Sequence, residues 1–210
     1  MSMSKSCEAL YLREVVHRTG NVLQMAIAAV HLVKRGQPRH LEEAMTRLEG
    51  AAALHGLLVQ RGEGIVELGK QVELTCDAAG RAAGASDEIE LVLDADTLIC
   101  DAEDARRMSM IVAELVGNCV RHAFPDGQGS ILIELRDDGR YTGIMVEDDG
   151  ACGGWVRPGG QGCAIVDELA AVMRGRVRRQ KTPGGSSRIE IVMPSLALGS
   201  GSNLPVAHSR

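Results

Sequence analysis

Apolar residues recur at three- and four-residue intervals from about Ser6 to Lys34, with no proline and one glycine, and this spacing predicts a long helix. Glu14, His17, Asn21 and Gln24 share one face of it, and Leu12, Val16, Leu23, Ile27 and Val30 occupy the opposite face. Arg35-Gly-Gln-Pro38 reads as a turn. A second helical pattern runs from about Arg39 to Val59 and is closed by Arg61-Gly-Glu-Gly64. Two long helices on a short loop predict an antiparallel hairpin. Its apolar face is too wide to leave bare, so a second copy or the rest of the chain should cover it.

After Gly64 the texture changes. Helical patterns at Leu68–Ala83, Ala105–Ala123 and Cys163–Met173 alternate with short strand patterns. The strands are Glu88–Leu93, a hairpin of Ser130–Leu135 and Tyr141–Val146 across Asp137-Asp-Gly-Arg140, and a last pair, Arg176–Arg179 and Ser187–Met193. This order predicts an α+β domain, a mixed sheet with helices on one face. The expected division is a helical hairpin over residues 1–62, an α/β sandwich over 63–194 and a mobile tail over 195–210.

Composition narrows the chemistry. Hydrophobic residues make up 45% and aromatic residues 2%, so the core must be aliphatic. A formal net charge of −5 argues against a nucleic-acid binder. The six cysteines form no C-x-x-C pair, which points to reduced thiols and a cytoplasmic protein rather than a disulfide framework or zinc site. The apolar stretch from Val22 to Val33 is too short and interrupted to span a membrane.

Three segments carry candidate chemistry. On the helix predicted over Ala105–Ala123, Glu114, Asn118 and His122 fall four apart and line one side, with Arg121 beside them. Met108, Val112, Leu115, Val116 and Cys119 supply the apolar side. An amide oxygen suits a hard cation such as Mg²⁺, and an arginine suits a phosphate. Taken alone, this helix fits an ordinary half-buried amphipathic helix equally well. Asp148-Asp149-Gly150 ends a strand, where a fixed carboxylate can accept a hydrogen bond from an exocyclic amine and a glycine lets backbone approach a base. Gly159-Gly-Gln-Gly162 runs straight into an apolar helix, whose first N–H groups can meet phosphate oxygens.

In this order the segments resemble the ATP-binding domain of histidine kinases, the Bergerat fold. Glu114-x-x-x-Asn118-x-x-Arg121-His122-Ala-Phe-Pro is similar to the family's N box, Asp148-Asp-Gly150 to its first glycine box and Gly160-Gln-Gly162 to its second. The resemblance implies that Asn118 holds Mg²⁺, Arg121 touches phosphate, Asp148 selects adenine, and Gly160 and Gly162 face the triphosphate, with Glu114, His122 and Gly150 in the same site. Glu14-Val-Val-His17-Arg18-Thr-Gly-Asn21 resembles the phosphoacceptor box of kinases with a His-Arg-x-x-Asn pattern, close to the HWE group. It implies phosphorylation of His17, with Glu14 or another carboxylate polarising the imidazole, within a homodimer of hairpins. The partner would be a response regulator receiver domain. Gly20, Arg121 and Cys152 stand where the family usually has lysine, lysine and glycine, and the loop from Gly150 to Gly160 is short for an ATP lid. Two other functions use the same fold: a histidine phosphotransferase relaying phosphoryl between receivers without ATP turnover, and a non-catalytic module that sequesters a partner through the hairpin.

Overall fold

A computed structural model of the chain describes residue 16 and residues 19–33, 39–59, 64–150, 161–182 and 185–198. Helix α1 covers residues 19–33 and α2 covers Arg39–Val59. Then follow β1 (Ile65–Glu67), α3 (Leu68–Ala83), β2 (Ile89–Ala95), β3 (Ile99–Asp101), α4 (Ala102–His122), β4 (Gly129–Asp137), β5 (Tyr141–Asp148), α5 (Gln161–Val172), β6 (Arg176–Lys181) and β7 (Ser187–Pro194). The main sheet has the order β2-β4-β5-β7-β6; β2 and β4 run parallel and the other neighbours antiparallel, so it is mixed, as the patterning predicts.

Alternation decides which face is covered. Ile131, Ile133 and Leu135 of β4, Ile144 and Val146 of β5, and Ile189, Ile191 and Met193 of β7 are buried. They meet Met108, Ile111, Val112 and Leu115 of α4, and Ile165, Val166 and Leu169 of α5. The intervening positions, Glu134, Arg136, Glu147, Arg188 and Glu190, form ion pairs on the open face. This is the helix-backed α/β sandwich that the resemblance implies.

The helix ends follow local chemistry. The Glu67 carboxylate accepts from Gly69 N (2.9 Å) and Lys70 N (2.7 Å) to start α3, and Gly84, at φ +83°, ends it in a left-handed cap. Asp101 caps α4 by accepting from Glu103 N at 2.8 Å. Arg106 and Arg107 then pair with Glu103 and Asp104 in the first turn. The Asp138 carboxylate closes the β4–β5 turn through Arg140 N (2.8 Å) and Tyr141 N (2.7 Å).

Two features go beyond the sequence reading. Strands β1 and β3 pair antiparallel in a separate two-stranded sheet. At three residues each they are too short to show a period. Residues 195–198, read from sequence as the start of a tail, are tied down: Ser195 N donates to Arg140 O, Leu196 N to Thr142 Oγ1 and Leu198 N to Ile99 O.

Helix α2 packs along α3, with Leu54 and Leu58 in the common core. Helix α1 presents three faces. Ala29 is buried and Val22, Met25 and Leu32 are half-buried, a side absent from the two-faced sequence reading. Asn21 and Gln24 are exposed, as expected for the polar face. Val16, Leu23, Ile27 and Val30 are 54–69% exposed, so within one chain the apolar face is bare. No helix among the described residues is long and apolar enough to cross a membrane.

Candidate functional site

Helix α4 positions the first set of groups. Met108, Val112, Leu115, Val116 and Cys119 are buried, which locks the rotation of the helix against the sheet. That rotation leaves Glu114 and Asn118 half-buried and Arg121 and His122 exposed along one side. Arg121 donates to Asn118 Oδ1 at 3.0 Å and lies over Gly117, where a Cβ would meet its guanidinium at 3.1 Å. The arginine thus steadies the amide oxygen that the sequence singles out for a metal.

Strand β5 delivers the second set. Asp148 is fully buried at the strand end and accepts from Gly150 N at 3.2 Å. Its neighbour in register on β7 is Ser187. Ser187 Oγ is buried and makes no hydrogen bond among the described residues. Sequence reasoning missed Ser187 as a site residue. The signal available was its place at the start of the last strand, directly after a glycine turn. A buried hydroxyl with no partner among the described residues keeps its own donor and acceptor capacity, and beside a buried carboxylate it suits the amine and ring nitrogen of a purine. The Cys119 thiol lies at the same place; burial first, and then the Asp148 charge, push it well above the ordinary thiol range. It is therefore a neutral wall of the pocket rather than a nucleophile.

The start of α5 completes the cradle. A Cβ on Gly162 would lie 2.5 Å from Glu114 Oε2 and 3.3 Å from Asn118 Nδ2, so the second glycine box closes directly over the N box. A Cβ on Gly150 would run into the carbonyl of Ala123 just beyond α4. Glycine at both positions lets backbone come within reach of the α4 side chains. The structure thus brings together Glu114, Asn118, Arg121, Asp148, Gly150 and Gly162, with His122 at the exposed end of α4. Glu14, His17 and Gly160 lie outside the described residues. Among the described residues no group of three or more His, Cys, Asp or Glu could hold a metal by itself. A divalent ion at Asn118 would need oxygens from a nucleotide to complete its shell, which is how Mg²⁺ usually enters such sites.

The profile of the histidine kinase-, DNA gyrase B- and HSP90-like ATPases matches residues 103–197, the segment that contains all three sets. The sensor histidine kinase PdtaS of Mycobacterium tuberculosis is 27% identical over 146 residues, covering 66% of this chain and 29% of that protein. Residues 103–197 thus carry the ATPase domain of that family, and the chain is similar to sensor histidine kinases. Blue-light-activated histidine kinase 2 of Erythrobacter litoralis is 27% identical over 194 residues, covering 85% of this chain and 55% of that protein. Among solved structures, the histidine kinase domain of the Erythrobacter litoralis EL346 blue-light activated histidine kinase superposes with a TM-score of 0.58. The identity is 22%, over 90% of this chain and 94% of that one, a likeness of fold. The chain spans about a third of the length of PdtaS and about half of the Erythrobacter protein. The match to an ATPase domain points to a nucleotide, and the cradle of glycines, Asn118 and the Asp148–Ser187 pair fits ATP.

Proposed function

We propose that the chain is a histidine protein kinase core. It takes ATP with Mg²⁺ between α4, the end of β5 and the start of α5, phosphorylates His17, and passes the phosphoryl group to an aspartate of a separate receiver domain. The observation that carries the reading is the closure of Gly162 over Glu114 and Asn118 beside the buried Asp148–Ser187 pair. A relay with a decayed nucleotide site would have no need of that closure.

In this reading Asp148 accepts from the adenine amine, and the Ser187 hydroxyl turns to the neighbouring ring nitrogen. Arg121 shifts its guanidinium from Asn118 to a phosphate, which frees Asn118 Oδ1 as a ligand. Mg²⁺ supplies charge neutralisation on the phosphate oxygens when bound. Backbone N–H groups at the start of α5 take further phosphate charge, with His122 at the rim. During transfer the bond between Pγ and the bridging oxygen breaks and ADP leaves with its electron pair. A P–N bond forms to one ring nitrogen of His17. The proton on the other nitrogen passes to a carboxylate, for which Glu14 and Glu114 are the candidates, or to water.

A second copy of the chain covers the bare face of α1. Val16, Leu23, Ile27 and Val30 follow seven-, four- and three-residue steps, the spacing of a helix–helix seam.

Incubation with γ-labelled ATP and Mg²⁺ tests the proposal. Acid-labile, base-stable label should appear on the wild type and vanish in His17→Gln and in Asn118→Ala. Label that survives in His17→Gln would move the acceptor elsewhere, and an unlabelled wild type would remove the kinase reading altogether.

A further inference from the structure

We infer that Gly50 is a positioning residue that directs phosphoryl transfer within a single chain: it lets α2 press onto α3 and so holds the polar stripe of α1 against α4 of the same chain. The inference rests on the kinase reading above and adds which chain's nucleotide site serves which phosphoacceptor helix.

Two independent features carry it. The first is the clamp. A Cβ on Gly50 would stand 2.5 Å from the backbone nitrogen of Ala82 and 2.7 Å from Arg81 Cβ, so α2 touches the α3 backbone where only glycine fits. Gly56, on the same helix, meets nothing within 4 Å, so glycine there serves no such contact. One turn beyond Gly50, Leu54 is 4% exposed, and Leu58 a turn later is 2% exposed. Before it, the Arg47 side chain lies against Gly84, the left-handed cap of α3. Helix α2 is thus fixed to the nucleotide-binding unit over several turns.

The second feature is what the clamp brings with it. A cavity of about 390 Å³ lies between α1, α2, α3 and α4. Asn21 and Gln24 border it from α1, and Glu114, Gly117 and Arg121 from α4. Asn21 and Gln24, which follow His17 in the sequence at four- and then three-residue steps, therefore share this cavity with the N box of their own chain. The apolar stripe of Val16, Leu23, Ile27 and Val30 lies roughly a third of a turn away around the helix. A second copy seated there does not come between Asn21 and Arg121. Dimerisation and transfer within one chain use different faces of α1.

Complementation reads the direction of transfer. His17→Gln chains, which keep the nucleotide site, are co-expressed with Asn118→Ala chains, which keep the acceptor, and the pair is incubated with γ-labelled ATP and Mg²⁺. Transfer within one chain gives no label above that of the separate variants, whereas restored label means transfer between chains and overturns the inference. An unlabelled wild type would instead sink the kinase reading and this inference with it.

A measurement that needs no catalysis separates the two failures. Chains carrying Gln24→Cys and Ala113→Cys, two cavity-lining positions, are prepared in ¹⁴N and ¹⁵N forms, mixed and treated with a short bismaleimide. After the mixed chains have exchanged, cross-linked peptides joining the two positions should carry a single isotope; mixed pairs near the half that random pairing of equal amounts gives would show that α1 faces the partner's α4 and would overturn the inference. Gly50→Leu in this background should lower the single-isotope cross-link severalfold while calorimetry gives unchanged ATP affinity, and Gly56→Leu should leave it as it was. If Gly50→Leu does not fold, Gly50→Ala already places a Cβ on Ala82 and should give a smaller loss in the same direction. A cross-link yield that is insensitive to substitution at Gly50 would remove its positioning role.

Discussion

Ser187 keeps a buried hydroxyl without a partner among the described residues, and that costs stability. An unsatisfied buried polar group is worth roughly 1–3 kcal/mol against the folded state. Ser187→Ala should therefore leave stability unchanged or raise it by up to about 1 kcal/mol in urea melts. The same variant should weaken ATP binding severalfold by calorimetry. A loss of both would mean that the hydroxyl serves the fold. The thiols lead to a pH prediction. Burial, helped by neighbouring carboxylates, raises Cys76 and Cys100 from 9.0 to about 12. A thiol whose folded value lies above its unfolded one contributes stability that is complete below pH 9 and is lost as pH rises toward 12. Thermal melts should fall steadily over that window, and Cys76→Ala should flatten the slope. A melting temperature that does not change from pH 9 to 11 would contradict the shift.

The elements of regular period were legible from sequence alone. Helix α4 announced itself through Met108, Val112, Leu115, Val116 and Cys119, all of which are buried, and its polar side followed without further information. Strands β4, β5 and β7 alternate cleanly because one face is covered and the other is wet. What escaped were features fixed by tertiary contact. Strands β1 and β3 exist because the chain returns to pair there, and Ser187 gains its meaning only from being opposite Asp148. The buried side of α1 is set by Ala29 with Met25 and Leu32, while its more hydrophobic stripe stays bare, so hydrophobicity alone did not show which side packs within the chain. The end of the folded unit is another such feature, and it can be tested by truncation. A chain ending at Leu198 keeps the hydrogen bonds of Ser195, Leu196 and Leu198 to Arg140, Thr142 and Ile99; one ending at Pro194 loses them. At roughly 1 kcal/mol each, the shorter chain should be about 2–3 kcal/mol less stable. Equal denaturation midpoints would show that the segment adds nothing.

For the whole molecule, the bare stripe of α1 calls for self-association. Light scattering at micromolar concentration should give twice the chain mass, and Ile27→Glu, which puts a charge on a residue 59% exposed in the single chain, should return it to one. A wild type that remains at one chain mass would leave the stripe without a second copy to cover it. The topology has a different kind of consequence. Strand β2 is parallel to β4, so residues 96–128, including all of α4, form the connection between them. Antiparallel neighbours can zip up from a tight turn, but a parallel pair must first close its crossover and bear that entropy. The helix that carries Glu114 and Asn118 is that crossover. A refolding chain should therefore complete α4 before it closes the sheet at β2, so that the slow step of assembly falls on the edge strand.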